Sequence, residues 1–108
     1  MAEYVITYFG GNPPANAEEG AQNMNEYREW MASLGDAAVS PANPLKNTQT
    51  ISADGSMAKG SASEMSGFTV IKVASMEEAM KIAQACPFLK MGGSLEVGEL
   101  MVMSSSTT

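Results

Sequence analysis

Tyr8, Arg28 and Lys59 are the side chains in this sequence best suited to hold a small organic acid, since one phenol and two cations can together satisfy a carboxylate. Each has an ordinary structural use as well, Tyr8 in a core and the two cations on a solvated surface. Cys86 is the only thiol and is followed by Pro87. It falls at a helix C-terminus, where the dipole disfavours a thiolate, so it reads as a packed core cysteine. Asp54 and Glu64 have neither the spacing of paired acid/base carboxylates nor that of a cation loop, and no metal is expected. Gly10-Gly11-Asn12 and Gly92-Gly93-Ser94 match no phosphate-binding fingerprint. They read as turns, and no cofactor is expected.

The chain has no histidine. That removes the usual general acid/base near neutral pH, the commonest metal ligand and the standard partner of a Ser or Cys nucleophile. Any catalysis would have to run on carboxylates, Lys, Tyr, Arg or the thiol. Twelve acidic against six basic side chains, with no run of either sign, argue against a surface that neutralises phosphates, so nucleic acid is not an expected partner. No segment has the length and apolarity of a membrane span or of a signal h-region, and a lone cysteine suits a reducing compartment. The expectation is a cytoplasmic protein with no membrane partner.

The elements that must position these residues read more clearly than the chemistry. Glu3 to Phe9 is a β-branched and aromatic strand ended by Gly10-Gly11-Asn12-Pro13-Pro14. Asn16 to Leu34 reads as a helix capped by Asn16 with Glu19 three residues on, burying a stripe of Met24, Tyr27, Met31 and Leu34 with Trp30 one position off it. Between 36 and 66, Pro41, Pro44 and many small residues break any long pattern. One hairpin stands out there, Asn47–Ser52 and Ser56–Lys59 around a type I′ Asp54-Gly55 turn, with a loop from Gly60 to Ser66. Phe68–Val73 is a nearly continuous apolar strand. A second helix from Met76 to Cys86 follows, capped by Ser75 with Glu78 and stopped by Pro87; its stripe is Met76, Ala79, Met80, Ala83 and Cys86. Ser94–Met103 is the closing strand.

Ten methionines are present, and those on the helix stripes read as core filling. The whole reads as α+β, a single domain over residues 1–103 with a disordered polar tail over 104–108. Two helices can cover only one face of an antiparallel sheet, yet the strands look apolar on both. The economical cover for the second face is the same sheet from another copy, hence a homodimer.

Ser66-Gly-Phe-Thr-Val-Ile-Lys-Val73, Ser75-Met-Glu-Glu-Ala-Met80, Cys86-Pro-Phe-Leu89 and Gly92-Gly-Ser-Leu-Glu-Val97 together resemble the YCII-related family, including its DGPF-domain group. The resemblance is strongest over residues 66–103. It implies a ferredoxin-like βαββαβ subunit with an antiparallel sheet, pairing into a dimeric α/β barrel with a cavity between sheet and helices. Some members carry a His-Asp pair proposed to be catalytic, which this chain cannot supply. The Asp-Gly-Pro-Phe signature is missing too, since Ser56-Met57 follow Asp54-Gly55. The reading that results is a protein binding a small organic ligand, with a lyase or hydrolase of a small organic acid and an assembly module without ligand as the alternatives.

Overall fold

The structure, a computed structural model, describes residues 1–101. Six strands and two helices follow in the order β1 (Ala2–Gly10), α1 (Ala17–Leu34), β2 (Ala38–Pro44), β3 (Gln49–Ile51), β4 (Met57–Lys59), β5 (Met65–Val73), α2 (Met76–Gln84) and β6 (Gly93–Glu99). Short 3-10 turns occupy Gly35–Ala37 and Pro87–Met91. Four strands form an antiparallel sheet in the order β2-β5-β1-β6, while β3 and β4 pair only with each other. With that hairpin set aside, the arrangement is the ferredoxin-like βαββαβ fold, whose central strands β1 and β5 each lead into a helix.

Both helices begin as their sequences predict. Asn16 is extended and its side-chain oxygen accepts from the Glu19 N–H at 2.8 Å, and Ser75 accepts from the Glu78 N–H at 3.2 Å. Each cap satisfies a donor that the first helical turn leaves free. The core lies between the helices and one sheet face. It joins Tyr4, Ile6 and Tyr8 of β1, Thr69, Ile71 and Val73 of β5, Trp30 and Leu34 of α1, and Ala79 and Ala83 of α2.

Several expectations need correction. The strand β2 is absent from the sequence reading, because Pro41 and Pro44 argue against strand. An edge strand tolerates both, and here the pairing with β5 is irregular around them. The hairpin forms, but around a five-residue loop, Ser52–Ser56, in place of a two-residue type I′ turn. Of the Asp54-Gly55 pair only Gly55 takes positive φ, and the Asp54 carboxylate accepts from both the Ser56 N–H and hydroxyl, which holds its carboxyl below the usual range. On α1, Trp30 is buried whereas Met24 is 54% exposed. On α2 only Ala79 and Ala83 are buried, and Met76 and Met80 are exposed. β6 ends at Glu99 rather than Met103, and Met103 with the expected tail lies outside the described residues.

The sheet face opposite the helices carries Val5, Thr7 and Phe9 of β1 and Phe68 and Val70 of β5, all half-buried within one chain. Gly98 of β6 lies beside Val5 on that face and adds no side chain to it.

Candidate functional site

A cavity of about 430 Å³ opens between α1 and one end of the helix-covered sheet face. From α1 it is walled by Gly20, Asn23, Met24, Tyr27 and Met31, the three- and four-residue spacing of one helix face. The stripe expected to fill the core is therefore largely a cavity wall. The C-terminal half of α1, with Trp30 and Leu34, packs down on the sheet and on α2, and the Trp30 Nε1–H donates to the Ile82 carbonyl at 3.0 Å. Towards its N-terminus the helix borders the cavity, which Met24 and Tyr27 line.

The floor is made by Tyr8 and Gly67, neighbours across β1 and β5, and the end wall by Phe88 from the turn after α2. The Tyr8 ring stacks on Phe88 with centroids 5.1 Å apart and meets Tyr27 edge-on at 6.1 Å; Tyr27 in turn meets Trp30 edge-on at 5.6 Å. Such offset and edge contacts fix ring positions beyond what area burial does. The Tyr8 hydroxyl bonds the buried Thr69 hydroxyl, which donates to the Pro41 carbonyl at 2.8 Å. That chain ties the floor to β2, where Asn43 donates to the Phe68 carbonyl at 3.1 Å and to the Ser40 carbonyl at 3.0 Å.

Phe88 has room because of glycine. A Cβ built on Gly93 would stand 2.1 Å from the Phe88 ring, and one on Gly11 2.9 Å from it. The two Gly-Gly pairs, read from sequence as turns, thus also seat the aromatic end wall. Gly92 does supply a turn, ending the 3-10 segment in the left-handed conformation at φ 80°.

Electrostatically the site is neutral. None of the fourteen residues lining the cavity carries a formal charge. Burial pushes the Tyr8 hydroxyl above the ordinary phenol range, with the Thr69 hydrogen bond opposing it, and pushes Tyr27 up further with help from Tyr8. Burial likewise raises the neighbouring Cys86 thiol, against the opposing effect of the Phe88 backbone. At neutral pH all three stay protonated, so the tyrosines offer hydroxyl hydrogen bonds and no phenolate, and Cys86 offers no thiolate.

These shifts bear on stability at alkaline pH. In the unfolded chain Cys86 ionises near 9.0 and the tyrosines near 10.0, while the folded state keeps their protons beyond those values. The folded state then binds more protons than the unfolded one, so stability falls as pH rises. Urea midpoints are expected to hold from neutral pH to about 8.5 and to decline above it. Tyr27→Phe should flatten the decline above pH 10.0, where Tyr27 of the unfolded chain deprotonates. A midpoint unchanged through that window would show that the three groups ionise freely in the fold.

Of the residues singled out from sequence, Tyr8 lines the cavity. Arg28 does not: it is exposed on another face of α1. Lys59 is exposed on β4, in the hairpin that stands apart from the sheet. The structure therefore does not gather the three residues within one chain. Reasoning from sequence missed Tyr27, Phe88 and Asn43 as site residues; Tyr27 and Phe88 carried a signal as two of the chain's six Tyr and Phe residues.

The fold and the site together define a ferredoxin-like α+β protein with an uncharged, aromatic-lined cavity under its first helix. The YCII-related domain matches residues 4–104, and the chain belongs to that family. Among solved structures, the chain is similar to the 5-chloro-2-hydroxyhydroquinone dehydrochlorinase of Burkholderia phenoliruptrix AC1100, determined in complex with 2,5-dihydroxybenzoquinone. The two share 16% identity over 94% of this chain and 95% of that one, with a TM-score of 0.57, a likeness of fold. No curated protein sequence matches the chain. No described helix is long and apolar enough to cross a membrane.

Proposed function

We propose that the protein binds a small, uncharged aromatic molecule, of the phenol, hydroquinone or quinone class, in the cavity beneath α1. The observation that carries this reading is the wall chemistry: Tyr8, Tyr27 and Phe88 around about 430 Å³ with no charged side chain among the lining residues. Tyr27 and Phe88 present rings to a flat ligand, and the Asn23 and Ser66 side chains can meet its oxygens. A carboxylate in the same place would lose its hydration without a cation to replace it. The organic acid expected from sequence, with Arg28 and Lys59 as its partners, is thus the weaker reading for this cavity.

The similar dehydrochlorinase has a dihydroxybenzoquinone bound, which supports a flat, oxygenated six-membered ring as the ligand without transferring that enzyme's reaction. Binding rather than turnover is the reading for this chain, because its buried hydroxyls and thiol are held protonated and no histidine is available as a base. We also propose that the protein acts in the cytoplasm as a homodimer paired through the open sheet face, which would remove Val5, Phe9, Phe68 and Val70 from water.

A panel of simple phenols, hydroquinones and quinones, run beside aliphatic carboxylates, tests the ligand class by thermal unfolding, because a ligand that binds only the folded state raises its stability. The phenolic compounds are expected to raise Tm and the carboxylates to leave it unchanged. Stabilisation by carboxylates alone would contradict the proposal.

A further inference from the structure

A lone ring held against Tyr27 and Phe88 uses only part of the cavity. Two adjoining elements, α1 and the 3-10 turn Pro87–Met91, each bring both an aromatic and a thioether side chain to its wall. On α1, Met24 lies three residues before Tyr27 and so neighbours it on one helix face. On the 3-10 turn, Met91 lies three residues after Phe88, the spacing at which side chains of such a turn eclipse. The wall is therefore tiered, with an aromatic pair, Tyr27 and Phe88, and a thioether pair, Met24 and Met91, each pair drawing one member from each element. The Lys90 ammonium meets the Glu26 carboxylate at 2.9 Å. Glu26 stands between Met24 and Tyr27 in the chain and Lys90 between Phe88 and Met91, so this ion pair ties the two elements at the level of the tiers.

The aromatic tier is the inner one. Phe88 is buried and Tyr27 half-buried, whereas Met24 is 54% exposed and Met91 half-buried. Beyond Met24 the wall continues to Gly20, where the exposed Pro14 comes so close that its Cγ would stand 3.4 Å from a Cβ built on that glycine. From Tyr27 back to Gly20 is about 10 Å of helix. Asn23 is the only polar side chain that α1 gives to this stretch of wall. A volume of about 430 Å³ is that of a pocket for a drug-sized molecule, so a bare phenol leaves the outer tier wet.

We infer that the ligand is a ring carrying an aliphatic substituent: the ring lies against Tyr27 and Phe88, and the substituent runs outward over Met24, Met91 and Pro14. The inference rests on the aromatic-ligand reading proposed above and narrows it to alkyl-substituted phenols, hydroquinones or quinones. Covering Met24 removes apolar area of both partners from water, which is favourable in proportion to that area. Methionine suits the task, because its unbranched thioether adapts to the shape of a chain laid on it. A charged substituent would be desolvated there without a partner, since Glu26 and Lys90, next in the chain to Tyr27 and Met91, are paired with each other.

Calorimetric titration of the full chain with phenol and its para-ethyl, para-butyl and para-hexyl derivatives tests this. Kd is expected to fall about two- to fourfold with each added methylene, the upper value being that of a fully buried one. The second measurement compares phenol with para-hexylphenol in Met24→Gln, a substitution at an exposed position that keeps the length of the side chain and makes it polar. The ratio of the two dissociation constants is expected to shrink about threefold or more in that variant. Phenol bound as tightly as para-hexylphenol by the unaltered protein would overturn the substituent and leave the ring reading standing. A ratio undiminished in Met24→Gln would overturn the path over Met24. Binding by no member of the series, or hexanol bound as tightly as para-hexylphenol, would overturn the ring reading and this inference with it.

Discussion

Trp30→Ala is expected to destabilise the protein by about 4 kcal/mol, the cost of emptying a large aromatic site in a packed core. Trp30 is 5% exposed, meets Tyr27 edge-on at 5.6 Å and donates its indole N–H to the Ile82 carbonyl of α2. It is the side chain that joins α1 to α2 through a hydrogen bond, and its ring contact is made within α1. A loss of this size is a large fraction of the roughly 5–15 kcal/mol that holds a domain folded. For a chain of this length it corresponds to a fall in Tm on the order of 15–30 °C. Trp30→Phe keeps a ring and loses the indole hydrogen bond, so it should cost nearer 1–2 kcal/mol. Urea unfolding of the two variants checks the pair, and equal losses would mean that the hydrogen bond, not the packing, carries the contact.

The second large effect is expected at a glycine. Gly93→Ala places a methyl 2.1 Å from the Phe88 ring, and the ring is 8% exposed and stacked on Tyr8. Overpacking of this kind costs about 1–3 kcal/mol, and relief requires Phe88 to leave the cavity wall. Binding of hydroquinone should then fall well beyond what the stability loss explains. Phe88→Leu added to Gly93→Ala should recover part of the stability, because a smaller side chain relieves the overlap, without recovering binding. Calorimetric titration beside thermal unfolding separates the two effects. Full binding by Gly93→Ala would remove Phe88 from the site.

The contrast between what could be read from residues and what could not has physical causes. The caps at Asn16 and Ser75, the apolar runs of β1 and β5 and the β3–β4 hairpin, though not its type I′ turn, are local signals, and local geometry reproduces them. Strand β2 is not local. Its residues Ala38–Pro44 have one β-branched side chain and two prolines, and they are extended because β5 offers an edge and Thr69 holds the Pro41 carbonyl. The cavity was half legible. Tyr8 could be named from its place near the end of a strand, although a tyrosine there serves a core equally well. The Met24-Tyr27-Met31 stripe has the same spacing whether it fills a core or walls a gap. Only what the rest of the fold places opposite that stripe decides between the two. Likewise no pattern reveals that Gly11 and Gly93 flank one ring, since they are brought together by the pairing of β1 with β6.

The central claim is that an uncharged aromatic molecule occupies the cavity between α1 and the sheet. Titration of the isotope-labelled protein with hydroquinone, followed through its backbone amide resonances, tests it most directly. The shifts are expected to concentrate on Tyr8, Tyr27, Gly67 and Phe88, to saturate, and to be lost in Tyr27→Ala. Shifts that gather instead around Arg28 and Lys59, or that survive Tyr27→Ala unchanged, would contradict the account.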